Sequence, residues 1–506
     1  METWFIIFLT ISIPLLLKAF FNLFSSPQTL PPSPPTLPLI GNFLLLRQPF
    51  FQIEQTIRRL RPTLGPILTL HLGPRPSIFI FDRSLAHQAL IQNGSLFSDR
   101  PKSLPSNKIM NCNQHNINSG SYGPLWRLLR RNLTSEILHP SRVKSYAHAR
   151  KWVLEILLNG LQQKAESGDP VEVLVHFRHA ILCLLGLMCF GDKLGEEQIK
   201  VIGAVQRRVL TGFGRFRLIN FWPRITKVLL RNQWNQLFQL RNDLENVMIP
   251  LIRARKEAKG DGSGYGSDSV LAYVDTLFDL ELPDEKRKLD EKEIVTLASE
   301  FINAGTDTTA TALQWIMANL VKHRRIQERL FAEIEGAIGD VNAAEIKQDD
   351  LQKMPYLKAV VLEGLRRHPP AHFVLPHCVT EDTVLGGYLI PKKGVVNFMV
   401  ADIGWDPTVW EEPMEFKPER FMGGGDGEVC DITGSREIKM MPFGVGRRIC
   451  PGLGLALLHL EYFVANLVWR FEWTAMDGDE ISLEEKMEFT ILMKTPLRAH
   501  ITPRKR

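Results

Sequence analysis

Cysteine is scarce in this chain and never paired. Six cysteines are spread over 506 residues with no Cys-x-x-Cys anywhere, which excludes a zinc ribbon, a dithiol redox motif and a disulfide framework, and agrees with a reducing compartment. Cys183 and Cys189 fall in the apolar run 181–190, where core residues are expected. Charge of one sign is scarce as well. A formal net charge of +6 is modest at this length, so nucleic acid is not an expected partner, and an acidic lipid surface or an acidic protein suffices to explain it. There is no internal repeat, and no glycine loop sits between a strand and a helix, so solenoids and phosphate cradles are excluded. Lys256 to Asp268, charged and glycine-rich, reads as a flexible surface loop. No linker interrupts the chain after about Leu37, so one large domain over 43–506 is expected where length alone would allow about three.

Long apolar runs are also rare. The exception is Trp4 to Phe24, interrupted by Lys18, which as a helix is long enough to cross about 30 Å of hydrocarbon. A cleaved signal peptide is the rival reading, but no Lys or Arg precedes the run, Glu2 does, and no small-x-small cleavage site appears before the prolines. A membrane anchor over 1–25 is therefore expected. Pro31-Pro32-Ser33-Pro34-Pro35 and Leu37-Pro38-Leu39-Ile40-Gly41-Asn42 then form a stiff extended hinge over 26–42. Basic residues follow the span, which puts the body in the cytosol, where the sequons Asn93-Gly94-Ser95 and Asn132-Leu133-Thr134 would stay unmodified.

The folded region reads as mainly helical with a smaller β portion. Strand patterns occur near 67–73 and 77–81 and again over 384–400, with turns at Gly386-Gly387 and Lys393-Gly394. Helical patterns cover about 290–323 and 356–367, start near Pro124, and run from Leu453 to Trp469 with Pro451 suited to a first helical position. Residues 213–234 mix aromatic and aliphatic side chains with Arg215, Arg217, Arg224 and Lys227. That mixture fits an ordinary amphipathic helix pair or a segment dipping into a bilayer.

Four groups carry chemistry. In Pro442-Phe443-Gly444-Val445-Gly446-Arg447-Arg448-Ile449-Cys450-Pro451-Gly452, a lone cysteine stands on a glycine-punctuated turn before an apolar helix. There, free amide N–H groups and the helix dipole would favour thiolate over thiol. Arg448 is placed to pair with a carboxylate; a structural cysteine is the plainer alternative. In Glu363-Gly364-Leu365-Arg366, three-residue spacing sets Glu363 and Arg366 on one helix face, which alone fits a solvated ion pair. In Ala304-Gly305-Thr306-Asp307-Thr308-Thr309, glycine and threonines are poor choices for a helix interior. A local widening of the helix, or a small-residue packing notch, would account for them. Trp126 and Arg130, with Arg127 and Arg131, fall at helical spacing and offer donors suited to a carboxylate, or simply a basic amphipathic face.

Phe443, Gly446, Arg448, Cys450 and Gly452 match, position for position, the haem-binding signature of the cytochrome P450 family. The other motifs follow in that family's order, and the chain resembles a plant microsomal (A-type) member over nearly its whole length. The resemblance implies a single large haem-binding domain and a haem-thiolate monooxygenase. Such an enzyme inserts one oxygen atom from dioxygen into a lipophilic organic substrate, using NADPH electrons delivered by a flavoprotein reductase. It implies haem b, iron protoporphyrin IX, with Cys450 as the metal ligand. Trp126, Arg130 and Arg448 would lie on its propionates, and Phe443, Gly446, Gly452, Ala304 and Gly305 beside it. Thr308 would position dioxygen and water while Asp307 relays protons. Glu363, Arg366 and Arg420, the last from Pro418-Glu419-Arg420-Phe421, would form a buried triad bracing the cysteine loop. Arg127, Arg131 and Lys439 would contribute to a reductase-docking face.

The expected location is the endoplasmic reticulum membrane, single-pass, with the catalytic domain in the cytosol. By position, 102–122, 301–305, 371–377 and 490–492 would line the substrate pocket. Asn111, Asn113, His115, His372 and His377 there suggest polar ligand groups or solvated loop residues. Two other classes stay open on the residues alone. One is an oxygen-independent haem-thiolate isomerase or dehydratase, against which the Asp307-Thr308 pair argues. The other is a haem protein that binds a ligand without turnover, which substrate-stimulated NADPH consumption would exclude.

Overall fold

Asp290 and Glu293 begin the longest buried helix with a reciprocal cap. The Asp290 side chain accepts from the Glu293 N–H and the Glu293 carboxylate from the Asp290 N–H, each at 2.8 Å, satisfying backbone donors that a helix start leaves free. From there Glu291–Lys322 runs as an unbroken α-helix, buried on most of its surface. The computed structural model describes Ser12 and residues 30–35, 42, 45, 50–72, 75–212, 214–216, 218–220, 222–260, 270–340, 343–423, 430–476, 478 and 480–504. Two neighbours fit this central helix through glycine notches. A Cβ on Gly305 would meet Leu185 of the helix Val173–Phe190 at 2.5 Å, and one on Gly364 of the helix Pro355–Arg367 would meet Ile316 at 2.5 Å. Gly305 thus answers to packing, and the central helix keeps α geometry through 304–309 instead of the expected widening.

The chain packs as two compact units. One comprises Met1–Pro101 with Phe373–Met399, the other Lys102–His372 with Val400–Arg506. No linker announces this division because the smaller unit closes on pairings between distant segments. In its four-stranded sheet, Ser77–Ile80 pairs antiparallel with Ile67–Leu70 and parallel with Val395–Phe398, which in turn pairs antiparallel with His377–Cys378. Gly386 and Gly387, at φ of 57° and 83°, turn the hairpin Thr383–Leu385/Tyr388–Ile390, a turn that needs left-handed backbone at both central residues. The β pattern read to residue 400 stops short, since Val400–Gly404 is helical. The first hinge prolines lie along this unit: Pro31 is buried and the Pro32 carbonyl accepts from the Thr69 N–H at 2.8 Å. The rest of the expected hinge is largely outside the described residues, as is the expected anchor over 1–25 apart from Ser12.

The larger unit is mainly helical. Its core gathers the central helix, Val173–Phe190, Pro355–Arg367 and the helix after the cysteine, Leu453–Arg470. Cys183 and Cys189 are buried in it. Among the described residues Val173–Phe190 alone is long and apolar enough to cross a membrane, and it is mostly buried in this core. The helix Arg231–Gly260 extends through Lys256, so the expected loop at 256–268 starts later, and its remaining residues 261–268 lie outside the described set.

Candidate active site

The cysteine loop closes on itself. The Cys450 N–H donates to the Phe443 carbonyl at 2.8 Å, Gly444 to Met441 at 3.0 Å and Ile449 to Gly446 at 3.1 Å. Gly444 and Gly446 take φ of 65° and 72°, where a side chain would strain the turn. Gly452 caps the following helix and Pro451 precedes it, not the first-turn position expected from the sequence. Burial pushes the Cys450 thiol up against the opposing pull of the Gly452 N–H and the Arg130 charge. Desolvation thus works against the thiolate that the Gly452 N–H and the Arg130 charge favour. A bound metal, which deprotonates a coordinating thiol outright, supplies what is missing.

Three donors from the sequence reading gather around this loop and the segment before it. Trp126 and Arg130 project from the helix Pro124–Asn132. An Arg130 guanidinium N–H donates to the Ile449 carbonyl at 2.6 Å, one residue from the thiol. Trp126 Nε1 and an Arg448 N–H both donate to the Ile117 carbonyl, at 3.0 and 3.2 Å, and Arg448 also reaches the Gly120 carbonyl at 2.7 Å. The Arg448 guanidinium lies 4.2 Å from the Trp126 ring centroid, within cation–π range.

The central helix opens where the sequence placed its chemistry. Ala304 is exposed, and Glu300, Gly305, Thr306 and Thr308 are half-buried, amid a helix otherwise buried from Glu293 to Val321. The Thr308 hydroxyl donates to the Ala304 carbonyl one turn back at 2.6 Å, as expected of threonine in a helix. Asp307 instead is buried and engaged. Arg178 Nε donates to it at 2.8 Å, the Thr490 hydroxyl at 3.1 Å, and an Arg207 nitrogen stands 3.5 Å away. Arg178, Arg207 and Thr490 were not singled out as its partners, and nothing local in the sequence marks them.

The expected triad is assembled. Arg366 grips the Glu363 carboxylate through two N–H groups at 2.7 and 2.8 Å, and Arg420 Nε lies 3.4 Å from it, with all three residues buried. Arg366 donates to the carbonyls of Gly404, Pro413 and Glu415, Arg420 to that of Glu412, and the Lys417 N–H to Glu363. The triad thus braces 404–417 and is linked through Trp410 to the approach to the cysteine loop. That ring lies under Arg366 while its N–H donates to the Lys439 carbonyl at 3.1 Å.

The polar pocket candidates are mostly spoken for. Asn111 Nδ2 donates to Ser103 and Ser119, His115 Nδ1 lies 2.6 Å from Glu293, His372 Nε2 lies 3.3 Å from Glu485, and His377 Nδ1 lies 2.6 Å from the Phe97 carbonyl. Only Asn113 of the five is exposed. Sequence reasoning offered these groups to a ligand because it could not see their partners.

The cytochrome P450 family pattern matches residues 31–502, both the loop and the triad included. The chain belongs to the cytochrome P450 family. It is 51% identical to cytochrome P450 89A9 of Arabidopsis thaliana over the full length of both chains. It is 29% identical to the flavonoid 3'-monooxygenase of the same plant, covering 98% of this chain and 97% of that one. A solved zebrafish cytochrome P450 with progesterone superposes with a TM-score of 0.74 at 22% identity, over 89% of this chain and 99% of that one, which establishes the fold. This P450 is a haem-thiolate monooxygenase of the plant A-type clade, with haem as its cofactor and electrons from NADPH through a reductase. The residues fit that group. A half-buried thiol has the Arg130 guanidinium on the neighbouring Ile449 carbonyl, Arg448 and the Trp126 indole N–H meet at the Ile117 carbonyl, and the central helix is open at Ala304. No cluster of three or more His, Cys, Asp or Glu able to hold a bare ion occurs among the described residues.

Proposed function

We propose that Cys450 is the iron ligand of this monooxygenase and that Trp126, Arg130 and Arg448 bind the haem carboxylates. The observation carrying this reading is that Arg130 donates to the Ile449 carbonyl beside the thiol while Arg448, from the same self-closed loop, meets Trp126 at the Ile117 carbonyl. When bound, the haem supplies the activation of dioxygen and the transfer of one oxygen atom to a lipophilic substrate. Phe443, Gly446 and Gly452 shape the loop; Ala304 and Gly305 leave the central helix without bulk at its opening. The Thr308 hydroxyl, half-buried there, orients water and donates a proton, and is released for this when its bond to the Ala304 carbonyl breaks. Asp307 holds the acidic end of that route, kept in place by Arg178 and the Thr490 hydroxyl. Arg127 and Arg131, exposed on the Trp126 helix, join Lys439 in a cationic face for an acidic flavoprotein reductase.

We place the protein in the endoplasmic reticulum membrane with its catalytic part, 43–506, in the cytosol. Leu218, Trp222, Ile225, Val228 and Leu229 are exposed together with Arg224 and Lys227, which supports a shallow second contact with an anionic bilayer in addition to the anchor. The deciding experiment is the carbon monoxide difference spectrum of the reduced protein beside Cys450→Ser. A strongly red-shifted Soret band lost in the variant is expected. Folded, haem-loaded wild type without that band overturns the ligand assignment.

A further inference from the structure

Glu300 lies on the central helix one turn before Ala304 and two turns after Glu293. It takes three donors from a single short segment: Asn116 Nδ2 at 2.9 Å and the Asn118 N–H at 2.6 Å on one oxygen, the Ile117 N–H at 2.9 Å on the other. The opposite side of the same peptide stretch is held too, since the Ile117 carbonyl accepts from Trp126 and Arg448. Asn116 and Ile117 are buried. Desolvation pushes the Glu300 carboxyl up to about 7, opposed by those hydrogen bonds and by Arg448.

We propose that Glu300 is a positioning residue that straps the 116–118 segment to the central helix and, through the Ile117 carbonyl, sets where Trp126 and Arg448 stand. This rests on the assignment of those two residues to the haem carboxylates. Two N–H groups and one carbonyl of adjacent residues are fixed from opposite sides, so rotation of the Ile117 peptide would break bonds on both. Glu300 thereby joins the helix carrying Thr308 to the donors that hold the cofactor, without itself touching it. It also fixes one end of the 102–122 segment at a point the substrate must pass if that segment lines the pocket.

The test uses haem-loaded, full-length Glu300→Gln, in which an amide nitrogen must face a donor. Haem release to an excess of apomyoglobin should accelerate about tenfold, the equivalent of one lost charge-assisted hydrogen bond. Limited proteolysis should cut earlier within 102–122 and at unchanged rates elsewhere, with the carbon monoxide band in place. Both changes together support the strap and its coupling; either alone, or neither, overturns it. Should Glu300→Gln fail to load haem, Asn116→Ala removes one donor only and must move both readouts in the same direction. Arg448→Ala separates the two levels of argument. Faster haem release there with none in Glu300→Gln rejects the strap and keeps the carboxylate assignment, whereas wild-type release in Arg448→Ala rejects that assignment.

Discussion

At Glu363 one carboxylate carries two guanidinium groups and a backbone N–H, all withdrawn from water. Removing it leaves Arg366 and Arg420 buried without compensation, at a cost of about 3–5 kcal/mol. Glu363→Ala is therefore expected as haem-poor, destabilised protein, read by haem-to-protein ratio and thermal midpoint. Thr308 presents the opposite case. It is half-buried, and its only recorded bond returns to its own helix, so Thr308→Ala should keep fold and haem. The expected loss is of coupling: NADPH is consumed while hydrogen peroxide accumulates in place of product. Tightly coupled turnover in that variant removes Thr308 from the route. The pairing of Glu363 with Arg366 could be read in the sequence because it depends on short spacing along one helix. Glu300 and the partners of Asp307 could not. Their contacts span 129 to 184 residues, and a lone glutamate or arginine in a helical pattern looks like a solvated face.

Helices in this fold are placed by what is missing from them. With a Cβ at position 305 or 364 the contact with Leu185 or Ile316 would fall to 2.5 Å. Gly305→Ala and Gly364→Ala should each destabilise by about 1–3 kcal/mol of overpacking, less up to about 1 kcal/mol of regained helix propensity, measured by denaturant midpoint. The boundaries of the central helix and of Pro355–Arg367 were legible within a residue, since Asp290 and Pro369-Pro370 punctuate them. The helix after the cysteine began later than expected because Gly452, not Pro451, makes the cap. The start of the central helix is also pH-sensitive. The bond to Glu293 raises His115 above its ordinary value of 6.5. Its contribution to stability is complete below that value and fades as pH rises through the raised one. Between about pH 6 and about pH 9 the wild type should lose thermal stability relative to His115→Ala; parallel curves would remove His115 from the account.

For the molecule as a whole, the helical patterns and the resemblance carried by the cysteine loop pointed to a mainly helical haem protein. The two compact units rest on strand partners that no linker or composition shift marks. The amphipathic mixture at 213–234 resolves into buried Phe216, Ile219 and Trp234 and an exposed apolar row from Leu218 to Leu229. A polarity-sensitive dye at position 222 of the full-length protein should shift to the blue on anionic vesicles, and less so in Val228→Glu/Leu229→Glu. An emission unchanged by vesicles argues that this row stays in water. Asn132 should carry no glycan, consistent with its amide being donated to Thr276 at 2.8 Å; a mass shift at that site would reverse the topology. The parallel pairing of Ser77–Ile80 with Val395–Phe398 also sets a clock on biosynthesis. At about 5–20 residues per second, the ribosome needs roughly 15–60 s after finishing the first strand to make its neighbour. Throughout that interval the nascent chain holds an open sheet edge. The cell must keep that edge from other strands until translation nears its end.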